Sequence, residues 1–457
     1  MKQYKSDHIQ NIAILGHLNS GKTSLTEAML FEAKAISKKG SVDKKNTVSD
    51  YLLEEQTRQT SLISSLLPLE WKDYKINFLD TPGSEEFIGD LENVLSVVEG
   101  AILLVDASSG VEVGTEACWS ELRKRNIPTL IILTKMDKEN VKFEEVLAEI
   151  KGQLSDNAIP FSLPLGKSAN FDGYINVITK KARIFKDGKY QDGVAFDDKI
   201  DRVEELYEQL LEKVAESSEE LLEKYFSGEE LTPDDVRKGL LSGTKKGDVF
   251  PVGVISVENN VGINTLLDMV VKYLPSAGGR EYQGFDQDGK EIVRKSLESE
   301  PFSAQIFKTT VDPFAGTISF MKVKSGVLKE NSEVKVANLN EDIKISNIFS
   351  MRGNVQISVS EAPAGDIVCV AKVDELRNSM TLCDKRVFTK YPAVEHPTPI
   401  LYMAIQPKNR QDEDKLSSSL NKLKLEDETF ETVRNPETAQ LLIGGQGNMQ
   451  LTVITDK

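Results

Sequence analysis

Cysteine and histidine are scarce in this chain: three of each occur in 457 residues. The cysteines, Cys118, Cys369 and Cys383, stand far apart, with neither the close pairs of a zinc site nor the density of a disulfide framework. Each reads as a small core residue in a reducing compartment. No run approaches the ~18 consecutive apolar residues of a membrane span, and the N-terminus lacks a secretory apolar stretch. A soluble, cytoplasmic protein without a membrane partner is expected. Positive charge is also short, since 56 Lys and Arg against 72 Asp and Glu leave a net charge of −16. That balance argues against a general nucleic-acid binder but leaves room for local basic contacts. Pairs such as Lys180-Lys181 and Lys245-Lys246 read more simply as solvated surface than as RNA contacts.

Three short segments stand out in order. Gly16-His17-Leu18-Asn19-Ser20-Gly21-Lys22-Thr23 fits the pattern G-x-x-x-x-G-K-[ST], after the apolar run Ile12-Ala13-Ile14-Leu15 and before a helical pattern with Leu25, Ala28, Met29 and Leu30. Alone, the pattern also occurs as an ordinary glycine turn. In a strand-loop-helix context its N–H groups, from Asn19 through Ser20, Gly21, Lys22, Thr23 and Ser24, can cradle phosphates. Lys22 then reaches the β and γ oxygens, and the Thr23 hydroxyl suits Mg²⁺. Asp80-Thr81-Pro82-Gly83 closes a second apolar strand, where Asp80 can hold a water on Mg²⁺ and the Gly83 amide can sense a γ-phosphate. Thr134-Lys135-Met136-Asp137 follows Leu130-Ile131-Ile132-Leu133. The Asp137 carboxylate can accept from N1 and N2 of guanine, a donor pair that adenine lacks, while the Lys135 stem lies along the base. Ser256-Val257, after Val252-Gly253-Val254-Ile255, takes the place of a last base-contacting loop. GTP or GDP with Mg²⁺ is the expected ligand.

The texture of the chain divides it. Strands alternating with helical patterns from Asn11 to about Leu274 predict an α/β P-loop domain over residues 1–282, with an inserted part at about 161–248. Within the insertion, Ile200 to Phe226 reads as an acidic amphipathic stretch with Leu206, Leu210, Leu211 and Val214 on one face. A polar linker at 283–299 leads to short alternating strands, which predict an antiparallel β-barrel at 300–386. From Thr398 a strand, a helix from Gln411 to Leu423, two strands and a helix near Asn448 to Thr455 predict a ferredoxin-like split β-α-β domain at 398–457, lacking its last strand.

With these motifs in place, the chain resembles the elongation factor G family of translational GTPases along essentially its whole length. Glu116 to Arg125, Ser217 to Tyr225 and Gly228-Glu229-Glu230-Leu231-Thr232 look like the insertion peculiar to that family. Pro301-Phe302-Ser303-Ala304, Asp312-Pro313-Phe314, Gly316, Ser325-Gly326, Ala364-Gly365-Asp366-Ile367 and Leu382-Cys383-Asp384 look like its barrel. The resemblance implies a monomer acting on ribosomal RNA and proteins, with stalk proteins met through the insertion. It also implies two further domains, so the chain is expected to be a fragment of a longer protein.

Three departures bear on chemistry. The family's Asp-Thr-Pro-Gly precedes a histidine that orients the hydrolytic water, and Ser84 stands there instead. Among the catalytic positions Lys22, Gly83 and Ser84, the last is therefore a poor catalyst. The family's Arg-Gly-Ile-Thr aligns with Arg58-Gln59-Thr60-Ser61, so Ser61 would supply a Mg²⁺ hydroxyl while Thr60 replaces an apolar gate residue. Thr134 replaces an asparagine, losing an amide that ties base to phosphate loop. Of the three histidines, His17 lies inside the loop and His8 and His396 lie outside the nucleotide motifs, so none substitutes obviously. Glu85 and Glu86 are nearby acids, read either as groups near the γ-phosphate or as solvated residues opening a helix. These changes resemble a divergent paralogue. Three readings remain: a ribosome-stimulated GTPase promoting translocation, a GTP-dependent ribosome-binding switch with slow or absent hydrolysis, and a ribosome-protection factor.

Overall fold

Continuous apolar runs suit strands covered on both faces, and Ile12–Leu15, Leu130–Leu133 and their neighbours are fully buried. The computed structural model describes residues 2–186, 189–193, 196–312, 316–409 and 412–457. Pro313, Phe314 and Gln411, singled out in the sequence, lie outside them. The chain forms a mostly parallel α/β domain followed by antiparallel domains of barrel and ferredoxin-like type. By its contacts it divides into two compact units.

One unit comprises Ile12–Thr47 and Val98–Pro275. Its strands run parallel in the order Ile9–Gly16, Gly100–Asp106, Thr129–Thr134, Phe250–Val254 and Ala158–Pro160. Helix Val113–Lys124 joins the second of these to the third. Glu116 to Arg125 therefore belongs to an ordinary crossover of the sheet and not to an insertion; its Glu- and Arg-rich pattern reflects the outer face of a helix whose Trp119 and Leu122 are buried. The excursion lies further on. Four antiparallel strands, Ser162–Leu165, Gly173–Asn176, Lys181–Lys186 and Lys189–Asp192, lead into helices Ile200–Glu216, Glu219–Phe226 and Pro233–Lys246. The acidic stretch is thus two helices. Ser217 ends one and Ser218 starts the next, its hydroxyl accepting the Leu221 N–H at 3.3 Å. Val203, Leu206, Leu210 and Val214 are buried along the first helix, whereas Leu211 is half-buried.

The other unit comprises Met1–Asn11, Val48–Val97 and Ser276–Lys457. Strands Ser65–Trp71 and Tyr74–Asp80 form a hairpin, followed by a 3₁₀ turn Glu85–Phe87 and helix Ile88–Leu95. The expected linker is itself structured: Glu281–Phe285 pairs with Glu291–Lys295 in a hairpin whose outward Glu281, Gln283 and Phe285 alternate with buried Tyr282 and Gly284. Eight antiparallel strands then run in the order Glu341–Ile345, Ser332–Val336, Thr381–Cys383, Ser303–Asp312, Gly316–Ser325, Ile367–Ala371, Ile348–Arg352 and Val355–Val359. They enclose a core that includes Ile306, Met321, Val334, Val368 and Leu382. The last part is a three-stranded sheet with Leu441–Gly445 between Leu401–Ile405 and Glu431–Arg434, backed by helices Glu413–Glu426 and Asn448–Asp456. Its core holds Leu420, Phe430, Ile443 and Leu451.

Buried polar groups tie the hairpin to the barrel. Lys75 Nζ donates to both Asp366 oxygens at 2.7 and 2.8 Å, and Asn77 Nδ2 donates to Asp366 Oδ1 at 3.2 Å. Buried groups paired in this way specify one docking geometry, because leaving any member without its partner costs about 1–3 kcal/mol or more.

Candidate functional site

The phosphate-loop pattern is a tight turn from strand Ile9–Gly16 into helix Lys22–Glu32. Gly16 has φ +149°, and a Cβ there would lie 2.7 Å from the Leu104 carbonyl oxygen and from Ser20 Oγ, so no side chain fits. Asn19 and Gly21 take left-handed conformations at φ 63° and 97°. Left-handed residues alternating with right-handed ones turn backbone N–H groups toward one point at a helix N-terminus, a geometry made for an anion. Lys22 Nζ is buried there and donates to the carbonyls of Gly16 and His17 at 3.0 and 2.9 Å, crossing the loop. His17 Nε2 stands 3.6 Å from Glu112 Oε1.

The residues expected to meet the base belong to the same unit and are held by one another. Thr134 donates its hydroxyl to the Ser20 carbonyl at 2.8 Å. The amide of an asparagine is absent here, yet the Thr134 hydroxyl still joins its segment to the Ser20 carbonyl of the loop. Lys135, at φ 56°, places Nζ 2.6 Å from Asp106 Oδ2. Burial works to raise the Asp106 carboxyl, but hydrogen bonds from Lys135 and from the hydroxyl and N–H of Ser108 outweigh it and hold it below the usual carboxylate range. Ser256 accepts the Asn259 N–H at 3.0 Å and donates its own hydroxyl to Asp137 Oδ1, which aims the carboxylate. The Val257 carbonyl accepts from Lys39 Nζ at 3.0 Å. Asp106 and Lys39 were not singled out from the sequence. Asp106 carried a signal, being an acid that closes an apolar strand as Asp80 does, whereas Lys39 reaches Val257 across 218 residues and carried none.

Ser61, Asp80, Gly83 and Ser84 belong to the other unit. Asp80 ends its strand fully buried. Ser84 is the N-cap of the turn Glu85–Phe87, its Oγ accepting the Glu86 N–H at 3.4 Å. Glu85 is exposed, as a solvated helix-opening acid should be. Glu86 is not solvated in that way, because its Oε2 accepts the Gln450 N–H at 2.9 Å. Ser61 is buried and donates to Asp50 Oδ1 at 2.8 Å. Beside it Glu55, fully buried, accepts the N–H groups of Leu62, Ile63 and Leu52 at 3.0 to 3.2 Å. Burial raises the Glu55 carboxyl to about 7 against the pull of those three donors.

No helix among the described residues is long and apolar enough to cross a membrane. Family models match three stretches: "Elongation factor Tu GTP binding domain" over residues 7–276, "Elongation factor G domain 2" over 301–385 and "Elongation Factor G, domain III" over 396–457. The chain is 33% identical over 454 residues to elongation factor G of Mycoplasma genitalium and 32% identical to that of Mycoplasma pneumoniae. It is similar to a crystal structure of a Thermus thermophilus protein, with a TM-score of 0.88 at 28% identity. Each comparison covers 98% of this chain and 66% of the other protein, so the chain spans just under two thirds of these relatives.

Proposed function

Because this chain belongs to the elongation factor G family of translational GTPases, we propose that it binds GTP and GDP with Mg²⁺ and acts on the ribosome in translocation as a GTP-gated switch, with hydrolysis slowed at Ser84. In this reading the amides from Asn19 to Ser24 bind phosphate, Lys22 neutralises the β and γ oxygens, and the Gly83 amide senses the γ-phosphate. Asp137, aimed by Ser256, and Lys135, held by Asp106, select guanine, with Thr134 and Val257 completing the wall. Thr23, Ser61 and Asp80 offer the hard oxygen donors that magnesium takes, and the ion when bound offsets charge on the phosphates. Residues 1–282, 300–386 and 398–457 serve as the nucleotide, barrel and third domains.

The observation that carries the slow-hydrolysis part is the position of the Ser84 hydroxyl. It follows Gly83 directly and serves as a turn cap for Glu86, a role for a short acceptor rather than for a group that orients water. Glu86 cannot take over, since its carboxylate caps Gln450. Partners in this proposal are ribosomal RNA and proteins, met by a cytoplasmic monomer. The outward acids of helix Ile200–Glu216, including Glu204, Glu208 and Glu212, support a stalk-protein contact.

Ribosome co-sedimentation tests the proposal. Binding should be several-fold stronger with a non-hydrolysable GTP analogue than with GDP, and Asp137→Asn should transfer that dependence to xanthine nucleotides, because the acceptor carboxylate becomes an amide with a donor. Equal binding with GDP, or with an ATP analogue, contradicts it.

A further inference from the structure

The four residues Ser61–Ser64 follow the short helix Leu53–Arg58, and three acids take up their donors. The Ser61 hydroxyl goes to Asp50, and the N–H groups of Leu62 and Ile63 go to Glu55. The Ser64 N–H goes to Asp90 Oδ2 at 2.5 Å, and its hydroxyl to Asp90 Oδ1 at 3.0 Å. One cation completes the set. Lys308, on barrel strand Ser303–Asp312, donates Nζ to the Ser64 carbonyl at 2.6 Å, to Ser64 Oγ at 3.0 Å and to Asp90 Oδ1 at 3.2 Å. Its side chain is 8% exposed and that of Asp90 19%, so water screens these bonds only weakly.

This arrangement has a mechanical consequence. Ser61 and Ser64 are three residues apart, a reach of about 10 Å at full extension. If Ser61 shifts toward a ligand, either the segment stretches or Ser64 moves against Lys308 and Asp90. Glu55 pins the two residues between them, which leaves little slack. Asp90 sits on helix Ile88–Leu95, just beyond Ser84 and Glu86, so the same ammonium reaches both the Ser61 segment and the helix that follows Gly83.

We propose that Lys308 is a positioning residue of the nucleotide switch, through which the barrel sets where Ser61 stands and so favours one nucleotide state over the other. The inference rests on the GTP-gated reading above and adds a residue to it. Lys308 touches no nucleotide in this account; it acts through Ser64.

The test is a pair of calorimetric titrations, with GDP and with a non-hydrolysable GTP analogue, on wild type, Lys308→Met and Lys308→Met/Asp90→Asn. The double variant removes both members of the ion pair and so avoids stranding a carboxylate, the usual reason such a lysine variant fails to fold. Site-to-site couplings commonly amount to about 5- to 150-fold in affinity. Analogue affinity should fall about tenfold in both variants, with GDP affinity changed less than about twofold. Hydrogen exchange of residues 61–66 should lose its dependence on nucleotide. A merely structural role would lower melting temperature and shift both affinities alike, and that result overturns the assignment. Wild-type protein that fails to distinguish the analogue from GDP overturns the GTP-gated reading itself. Wild-type protein that distinguishes them, with variants that do so equally well, overturns only the role of Lys308.

Discussion

The Thr134 hydroxyl donates to the Ser20 carbonyl at 2.8 Å, joining the segment proposed to recognise guanine to the phosphate loop by one side chain. Thr134→Val keeps the shape and removes the donor, leaving a buried carbonyl short of a partner at a cost of about 1–3 kcal/mol. Affinity for GDP and for a GTP analogue should fall together by about tenfold, since 1.4 kcal/mol is a factor of ten. Titration calorimetry reads this directly. Unchanged affinity would mean that the bond is incidental to nucleotide binding.

Glu86 provides a second relationship of this kind. Its carboxylate accepts the Gln450 N–H in the first turn of helix Asn448–Asp456, an acid at a helix N-terminus delivered from another part of the unit. Replacing a capping acceptor with alanine typically costs ~1 kcal/mol. Glu86→Ala should therefore speed amide exchange in residues 448–452 by about fivefold, while Glu85→Ala, at an exposed position, should not. Equal effects from the two variants would count against the cap.

The phosphate loop was legible because glycine, lysine and threonine there answer to local geometry: Gly16 has no room for a Cβ, and Gly21 must take φ 97°. The same local logic failed over residues 283–295, where outward Gln283 and Phe285 belong to a hairpin read as polar linker. The resemblance misled at Glu116 to Arg125, where the charged face of a crossover helix was matched to the family's insertion. The Ser61 environment could not be read at all, since Lys308 reaches Ser64 across 244 residues and only folding brings Asp50, Glu55 and Asp90 around one segment.

Lys324 predicts a pH signature in the barrel. Its ammonium is buried beside Gln305 and over the Tyr391 ring at 4.1 Å; burial first, then Lys322 and Arg280, lower it to about 7. In the unfolded chain it returns to about 10.4. Between those pH values the unfolded chain binds more protons, so folding stability rises with pH from about 7 to about 10 and is lost on going back down. Lys324→Met should flatten that rise in urea unfolding followed at pH 7, 8.5 and 10. A slope identical to wild type would place the lysine charge in water.

Single-turnover GTP hydrolysis on ribosomes, measured for the Ser84 protein and for Ser84→His beside a histidine-containing elongation factor G, tests the central claim most directly. One positioned catalytic group accounts for about 10²- to 10⁴-fold in rate, roughly 3–5 kcal/mol of barrier, and acts in the transition state without changing nucleotide affinity. The native protein should hydrolyse GTP at least about a hundredfold more slowly than the histidine-containing factor, with unchanged GDP affinity in Ser84→His and a partial gain in its rate, Thr60 still standing at the gate position. Hydrolysis by the native protein as fast as that of the histidine-containing factor would contradict the account and require another group to position the water.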